Sequence, residues 1–417
     1  MSGEDASGTP ARLRRSLTLP LLVLYGVGVT VGAGIYVLMG TVISVAGALA
    51  PLSFIASAVL AGLTALCFAE LSVRMPRAAG EALYVRNAMG SAGLALTVGL
   101  TVVFSGTVSS AAIVQGFAGY ARVLVDVPDY VLIVSVTALL CLIAVWGIRE
   151  AVTVASVFTI LEVGGLLLVI WVARDAFGNV LPWVGHITDS FEPQQVLLIG
   201  SGAVLAFFAF IGFEDMVNVA EETRDVERTM PRAIVATLAI TTALYIAVSL
   251  VGLLSRSSAG IADSAAPLAD IYAAATGGSS LPVVVIGILA IVNGALIQII
   301  MGARVLYGLA EQGDLPAVLG AVHPRMQTPV RATLLVGFVI CIGALALPLE
   351  TLARLASVAI LIVFALVNTS LVIVKRRWRE APPPAFRVPV WVPVLGAVTC
   401  AALVAFQIAS FAGLLSV

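Results

Sequence analysis

The stretch Gly26-Val-Gly28-Val-Thr-Val-Gly32-Ala-Gly34, together with a distant counterpart, Phe207-Phe-Ala-Phe-Ile-Gly212-Phe-Glu214-Asp215, decides how this chain of 417 residues is read. The first stretch has the glycine spacing of a dinucleotide-binding turn, in which a phosphate approaches bare backbone at a helix start. That use also needs a preceding strand and an acid about 20 positions later. No Asp or Glu lies between Asp5 and Glu70, so the nucleotide reading fails. Two membrane uses remain open. Small residues four apart, Gly28 and Gly32, let two helices approach closely. Gly32-Ala33-Gly34 also makes a helix easy to interrupt, since each glycine costs about 1 kcal/mol relative to alanine.

Composition places both stretches in a bilayer. Hydrophobic residues make up 60% of the chain and charged residues 11%, with a mean hydropathy of +1.11. Soluble domains carry roughly 25% charged residues. The 22 basic and 23 acidic side chains leave no basic stripe, which argues against a nucleic-acid partner. Cys67, Cys141, Cys341 and Cys400 show no CxxC spacing and His186 is far from His323, so no metal site, cofactor or catalytic cluster is expected.

A helix needs about 20 apolar residues to cross the hydrocarbon core, so gaps between charges serve as a ruler. The gap from Arg15 to Glu70 holds two spans. Nine further gaps, starting with Asn87 to Ala121 and ending with Val388 to Val417, bring the expectation to about 11 transmembrane helices. Eighteen of the 22 Lys and Arg side chains then fall on one side, which predicts a cytoplasmic amino terminus and an external carboxyl terminus. The expected division is a cytoplasmic segment over residues 1–15, one five-helix unit over 16–175, a second over 193–375, and a connector with a final helix over 376–417.

The first and sixth spans run in opposite directions and both carry an interruption at depth. Such a pair is the sequence pointer to an inverted-repeat transporter with its site at the midplane. Interrupted backbone is tolerated there only where it lines a cavity or binds something. Amides exposed at Gly32 to Gly34 would open a half-helix whose positive end suits a carboxylate. Carbonyls around Phe208 to Ile211 would accept from an ammonium, and a ligand with both groups is an α-amino acid. Phe207, Phe208, Phe210 and Phe213 either wall that site or pack as ordinary apolar rings.

Several runs in order along the chain resemble the amino acid–polyamine–organocation (APC) transporter superfamily. They are Val31-Gly-Ala-Gly-Ile-Tyr36, Phe68-Ala-Glu-Leu71 with Pro76 to Glu81, Phe207 to Glu214 with Ala220 to Ile234, and Arg304-Val-Leu-Tyr307 with Gly313-Asp-Leu-Pro316 and His323-Pro-Arg325. The resemblance covers roughly residues 16 to 400. It implies an all-α fold of two inverted five-helix repeats with broken helices 1 and 6, working as an amino acid permease. It also implies a carboxylate-binding turn at Val31, Gly32, Ala33 and Gly34. The amine-facing carbonyls would come from Phe207, Phe208, Ala209, Phe210 and Ile211, with Phe210 as a gate. Two features depart from the pattern: one helix rather than two follows the repeats, and Glu162 stands where many sodium-independent relatives carry a lysine.

An acid in the middle of a span costs roughly 2.5–3.5 kcal/mol on insertion scales, so Glu162 reads as functional by default. Its roles stay open: a proton carrier near neutral pH, a sodium ligand, a contact for a cationic substrate, or a neutral hydrogen-bonded acid. Glu214 reads as a second coupling residue or as a cap on the lower half of span 6. Glu70, Glu81, Arg86, Glu221, Glu222 and Arg224 could form an inner gate, but solvated helix ends are the commoner arrangement. Asn293, Gln298 and Asn368 are expected to bond between helices rather than to touch substrate. The expected partners are an amino acid or related amine, protons or a counter-substrate, and the lipid bilayer, with no oligomeric state readable. A polyamine carrier and a non-transporting nutrient sensor are the competing functions.

Overall fold

The computed structural model describes residues 17–76, 80–146, 151–189, 192–255, 258–311, 313–323, 326, 328–377 and 386–412, without the side chains of Ala33, 151–156, Glu221 and 258–259. The segment before Leu17, the Pro382 to Pro384 connector, Pro324 with Arg325, and several arginines of the charge tally (Arg77, Arg149, Arg256, Arg379) lie outside the described residues. The helices are α1 (Leu19–Ala46), α2 (Ala50–Arg74), α3 (Gly80–Met89), α4 (Ala92–Arg122), α5 (Asp129–Trp146), α6 (Ala151–Val172), α7 (Val180–Asp189) and α8 (Gln195–Phe208). They continue as α9 (Val226–Leu254), α10 (Ser258–Ile261), α11 (Pro267–Thr276), α12 (Leu281–Glu311), α13 (Val330–Ala346), α14 (Leu349–Arg377) and α15 (Trp391–Phe411).

Eight stretches are long and apolar enough to cross a membrane. One of them, Gly34–Arg74, runs for 41 residues. At 1.5 Å per residue that is about 60 Å, twice the ~30 Å core, and it folds back at Gly47 with φ 54°. It therefore contributes two crossings, the first completed by Leu19–Gly32. The apolar helix α6, bent by 61° from the segment Arg174–Asp189 that follows it, and the 17-residue α13 supply the others, which gives eleven candidate crossings among the described residues.

The third crossing starts later than the charge ruler places it. Asn87 belongs to α3, and the chain turns at Gly90 (φ 69°) before Ser91 caps α4 by accepting from the Leu94 amide at 3.2 Å. A glycine turn carries no charge, so a ruler made of charges passes over it. The face on which α1 begins is called proximal below and the opposite face distal. The fifth-to-sixth connection on the distal face is largely helical, with exposed His186 on α7.

The packing repeats itself with inversion. Counting α1, α2, α4, α5 and α6 as one set of five and α8, α9, α12, α13 and α14 as the other, the first four members of each set pack directly on their counterparts. Other contacts come in matched pairs. The contact α1·α9 is mirrored by α8·α2, α1·α6 by α8·α14, α4·α14 by α12·α6, and α4·α5 by α12·α13. The chain is thus a polytopic 5+5 inverted-repeat bundle, with α15 added against α14 and α2.

Two of the expected solvated helix ends are buried instead. Glu70 of α2 is fully enclosed and pairs with Arg74 at 2.7 Å and with Lys375 of α14 at 2.6 Å. Its Oε2 also accepts from the Val388 amide at 2.8 Å, which holds the segment leading into α15. Lys375 is the only lysine in the chain, and it also donates to the Val388 carbonyl. Glu81 of α3 is likewise buried, and loss of water around it pushes its carboxyl up to about 7. Neither burial is visible along the sequence, because both come from α14 and its neighbours folding over the proximal ends of α2 and α3.

Removing one member of a buried ionic cluster strands the others, typically at about 3–5 kcal/mol. Glu70→Gln is therefore expected to lower the unfolding midpoint of the detergent-solubilised protein by several degrees, and Glu70→Gln with Lys375→Met to recover part of the loss. A thermal unfolding series on the two variants checks this.

Candidate functional site

The first break is set by Gly32, whose backbone (φ 7°, ψ −144°) leaves the helical region and divides α1 in two. The second begins where α8 ends at Phe208. Three tight turns follow, with the amides of Ala209, Phe210 and Ile211 donating to the carbonyls three residues back. Gly212 then takes φ 126°, a left-handed value that favours glycine, before a 3-10 segment over Phe213–Glu222. Glu214 accepts from the Gly212 amide at 2.8 Å, so its carboxylate caps this turn.

The two breaks cross at two glycine contacts. A Cβ on Gly34 would stand 2.8 Å from the Ala209 Cα, and one on Gly212 would stand 2.7 Å from the Val29 carbonyl oxygen. The glycines of the opening stretch thus divide their labour. Gly28 lies against Thr159 of α6 and Gly26 against Met216 and Thr237, which is close packing, whereas Gly32 has open space around it and makes the break.

Interrupting a helix frees carbonyls that lipid cannot satisfy. The hydroxyl of Tyr245 in α9 reaches two of them, Thr30 O at 2.8 Å and Ala209 O at 2.7 Å, one from each break. Its ring meets Phe210 edge-on at 5.0 Å. At the carbonyls of Phe210 and Ile211, among the described residues, no hydrogen-bond donor is found.

One cavity of about 20 Å³ touches both breaks. Val29, Thr30, Gly32 and Gly34 line it from α1, and Phe208 and Ile211 from the second break. Ser109 and Ile113 of α4 and Gly294, Ile297 and Gln298 of α12 close it. Of the residues expected from sequence, Gly32, Gly34, Phe208 and Ile211 come together here. Val31 is buried away from the cavity, Phe207 packs edge-on against Phe364, Ala209 lies under Gly34, and Phe210 is wedged on Tyr245. The ring at the cavity is Phe208, two residues before the expected gate, Phe210. For Ala33 only the backbone is described.

Glu162 of α6 is fully buried, with Oε1 accepting from Asn293 of α12 at 3.2 Å. Its Oε2 is enclosed and has no partner among the described residues. The Glu162 carbonyl accepts from the Tyr36 hydroxyl at 2.7 Å, which fastens α6 to the distal half of α1. Asn293 and Asn368 bond between helices as expected, the latter to Thr64 at 3.0 Å, but Gln298 faces the cavity. Tyr245, Ser109, Ile113 and Ile297 are additions that the sequence reading did not name. For Tyr245 a signal existed: a tyrosine hydroxyl deep in an apolar span has to find an acceptor.

A 5+5 inverted repeat with two crossed breaks and a cavity between them defines the class of secondary-transporter folds. A manganese transporter of Eremococcus coleocola shares it, with a TM-score of 0.63 and 15% identity over 98% of this chain and 92% of that one. The sequence gives a closer relation. The amino acid permease family model matches residues 17–414, and the chain belongs to that family. It is 32% identical to the vacuolar cationic amino acid transporter 2 of Arabidopsis thaliana over 89% of this chain. It spans about three-fifths (61%) of that plant protein's length. It is also 27% identical to a branched-chain amino acid permease of Bacillus subtilis, covering 92% of this chain and 85% of the permease.

Tyr245→Phe removes the donor shared by two buried carbonyls, at a cost of about 1–3 kcal/mol. The variant is expected to unfold at a lower temperature and to exchange amide hydrogens faster at residues 30–34 and 209–212, with other segments unchanged. Hydrogen-exchange mass spectrometry in detergent micelles measures both regions at once.

Proposed function

We propose that this chain is a secondary transporter that carries α-amino acids across the cytoplasmic membrane by alternating access, with the proximal face inside. The observation that carries this reading is the single cavity shared by Gly32, Gly34, Phe208 and Ile211. The distal half of α1 starts at Gly32, so its first amides lack acceptors in the preceding turn and suit a carboxylate. The unengaged carbonyls of Phe210 and Ile211 suit an ammonium at the same level. Family membership and the amino acid permease among the relatives support the substrate. The basic tally supports the orientation.

A volume of about 20 Å³ holds one water and no amino acid. The breaks must therefore part to admit substrate, which is what alternating access asks of them. The start of α1 and the segment after α8 are linked to each other at the proximal face. There the Leu17 amide donates to Glu222 O and the Arg224 amide to Leu17 O, both at 3.0 Å.

In this reading Glu162 carries the coupled proton. Its Oε2 is buried and unpartnered, so an ionised carboxylate there lacks compensation that a carboxyl proton would supply. Asn293 holds the other oxygen and sits beside Gly294 of the cavity wall, so occupancy of the cavity and the proton on Glu162 act on the same turn of α12. Glu214 is a capping group in this scheme, since its carboxylate is committed to the Gly212 amide.

Two variants test the proposal in proteoliposomes. Gly34→Leu, which drives a side chain into Ala209 and the cavity, should insert normally and lose substrate binding; unchanged affinity would remove the site. Glu162→Gln should keep counterflow exchange and lose accumulation driven by a proton gradient, because the amide imitates only the protonated acid. Full gradient-driven uptake by that variant would make Glu162 structural, and sodium dependence of the wild type at constant pH would assign the acid to a sodium ion.

A further inference from the structure

The cavity is lined by side chains as well as by glycine backbone. Its apolar side chains are Val29, Ile113, Phe208, Ile211 and Ile297, contributed by α1, α4, the second break and α12. Its polar side chains are Thr30, Ser109 and Gln298, all neutral. The Thr30 hydroxyl is already donated to the Gly26 carbonyl at 2.8 Å. No Asp or Glu lines the cavity among the described residues. Of the two buried acids near the breaks, Glu214 is committed to the Gly212 amide, and Glu162 lies outside the lining, held by Asn293 through Oε1 with Oε2 lacking a partner among the described residues.

These walls set the energetics of the ligand's side chain. Each methylene placed against them gains hydrophobic free energy. An ammonium or guanidinium placed there loses its water and meets no carboxylate, and an uncompensated buried charge is strongly disfavoured. The dipoles of Ser109 and Gln298 are too weak to offset that, since a neutral hydrogen bond nets far less than the desolvation of a charge costs.

We infer that the site selects amino acids with uncharged aliphatic side chains and refuses the cationic side chains of arginine and lysine. This inference rests on the transport reading above and narrows it. It sets the chain apart from the substrate named for its plant relatives and alongside the one named for the Bacillus subtilis permease. Ile113 and Ile297 are the specificity-determining residues, because both line the cavity from elements, α4 and α12, that carry no part of the backbone-binding breaks.

The test is competition in proteoliposomes containing the full chain. Uptake of labelled leucine is measured against unlabelled leucine, isoleucine, valine, alanine, arginine and lysine, with each label also assayed directly. Leucine, isoleucine and valine are expected to compete at similar concentrations, with arginine and lysine weaker by about a hundredfold or more. In Ile297→Ala, leucine should weaken about tenfold while alanine changes little, since a trimmed wall costs only the larger side chain. Arginine uptake equal to or above leucine uptake would overturn the inference and leave the transport reading standing. Absence of flux for every amino acid would overturn both.

Discussion

The hydroxyl of Tyr245 stands between two carbonyl oxygens that no helix satisfies, Thr30 O in the first break and Ala209 O in the second. In water such carbonyls would be solvated. In a bilayer each costs free energy until something donates to it, and that requirement governs the centre of this fold. A break in one helix is affordable here because a helix of the other repeat brings a donor to it. The same donor serves the break in its own repeat, so the two interruptions are held at one level. Glycines make the approach possible. Any larger residue at position 34 or 212 would push the crossing backbones apart, and Tyr245 could then span at most one of the two oxygens.

From that centre the rest follows by packing. Gly28 against Thr159 brings α1 onto α6, and Tyr36 ties the distal half of α1 to the Glu162 carbonyl. The Glu162 carboxylate is thereby carried into a layer between α6 and α12, where Asn293 donates to Oε1. The acid is a neighbour of the cavity wall and not part of it. In the transport reading proposed above, recognising a solute and holding a proton would fall on separate groups that share α12. The ionic cluster of Glu70, Arg74 and Lys375 has a different place. It lies at the proximal end, between α2 and α14, and anchors the strap that returns the chain to α15.

How much of this is legible in the sequence depends on whether a feature is local. The number of crossings is legible, because hydropathy and charge are local and a bilayer has one thickness. The breaks are legible too, since Gly32 and Gly212 announce them in their own segments. What sequence order does not carry is the facing of side chains across the bundle. Phe207, Phe208 and Phe210 look alike in the chain, yet successive tight turns aim them at Phe364, at the cavity and at Tyr245 in turn. Gln298 and Asn293 sit five residues apart on α12, and that spacing of about 500° around a helix, 140° apart in facing, sends one to the cavity and the other to Glu162. Glu70 reads as a helix-end charge until α14 covers it.

The shared hydroxyl also places a limit on how the centre can move. A phenol has one proton to donate, so Tyr245 satisfies two acceptors only while both lie within reach of that proton. Opening the cavity to the size of an amino acid carries the breaks apart, and one of Thr30 O and Ala209 O must then find another donor. Water admitted from either face is such a donor, and under the transport reading proposed above the ammonium group of a solute would be another. In the closed arrangement Tyr245 serves both oxygens, whereas an open one needs a ligand or solvent donor for the oxygen that is released. That difference in who supplies the hydrogen bond gives a bound solute a preference between the two arrangements, and without such a preference no ligand can shift their populations.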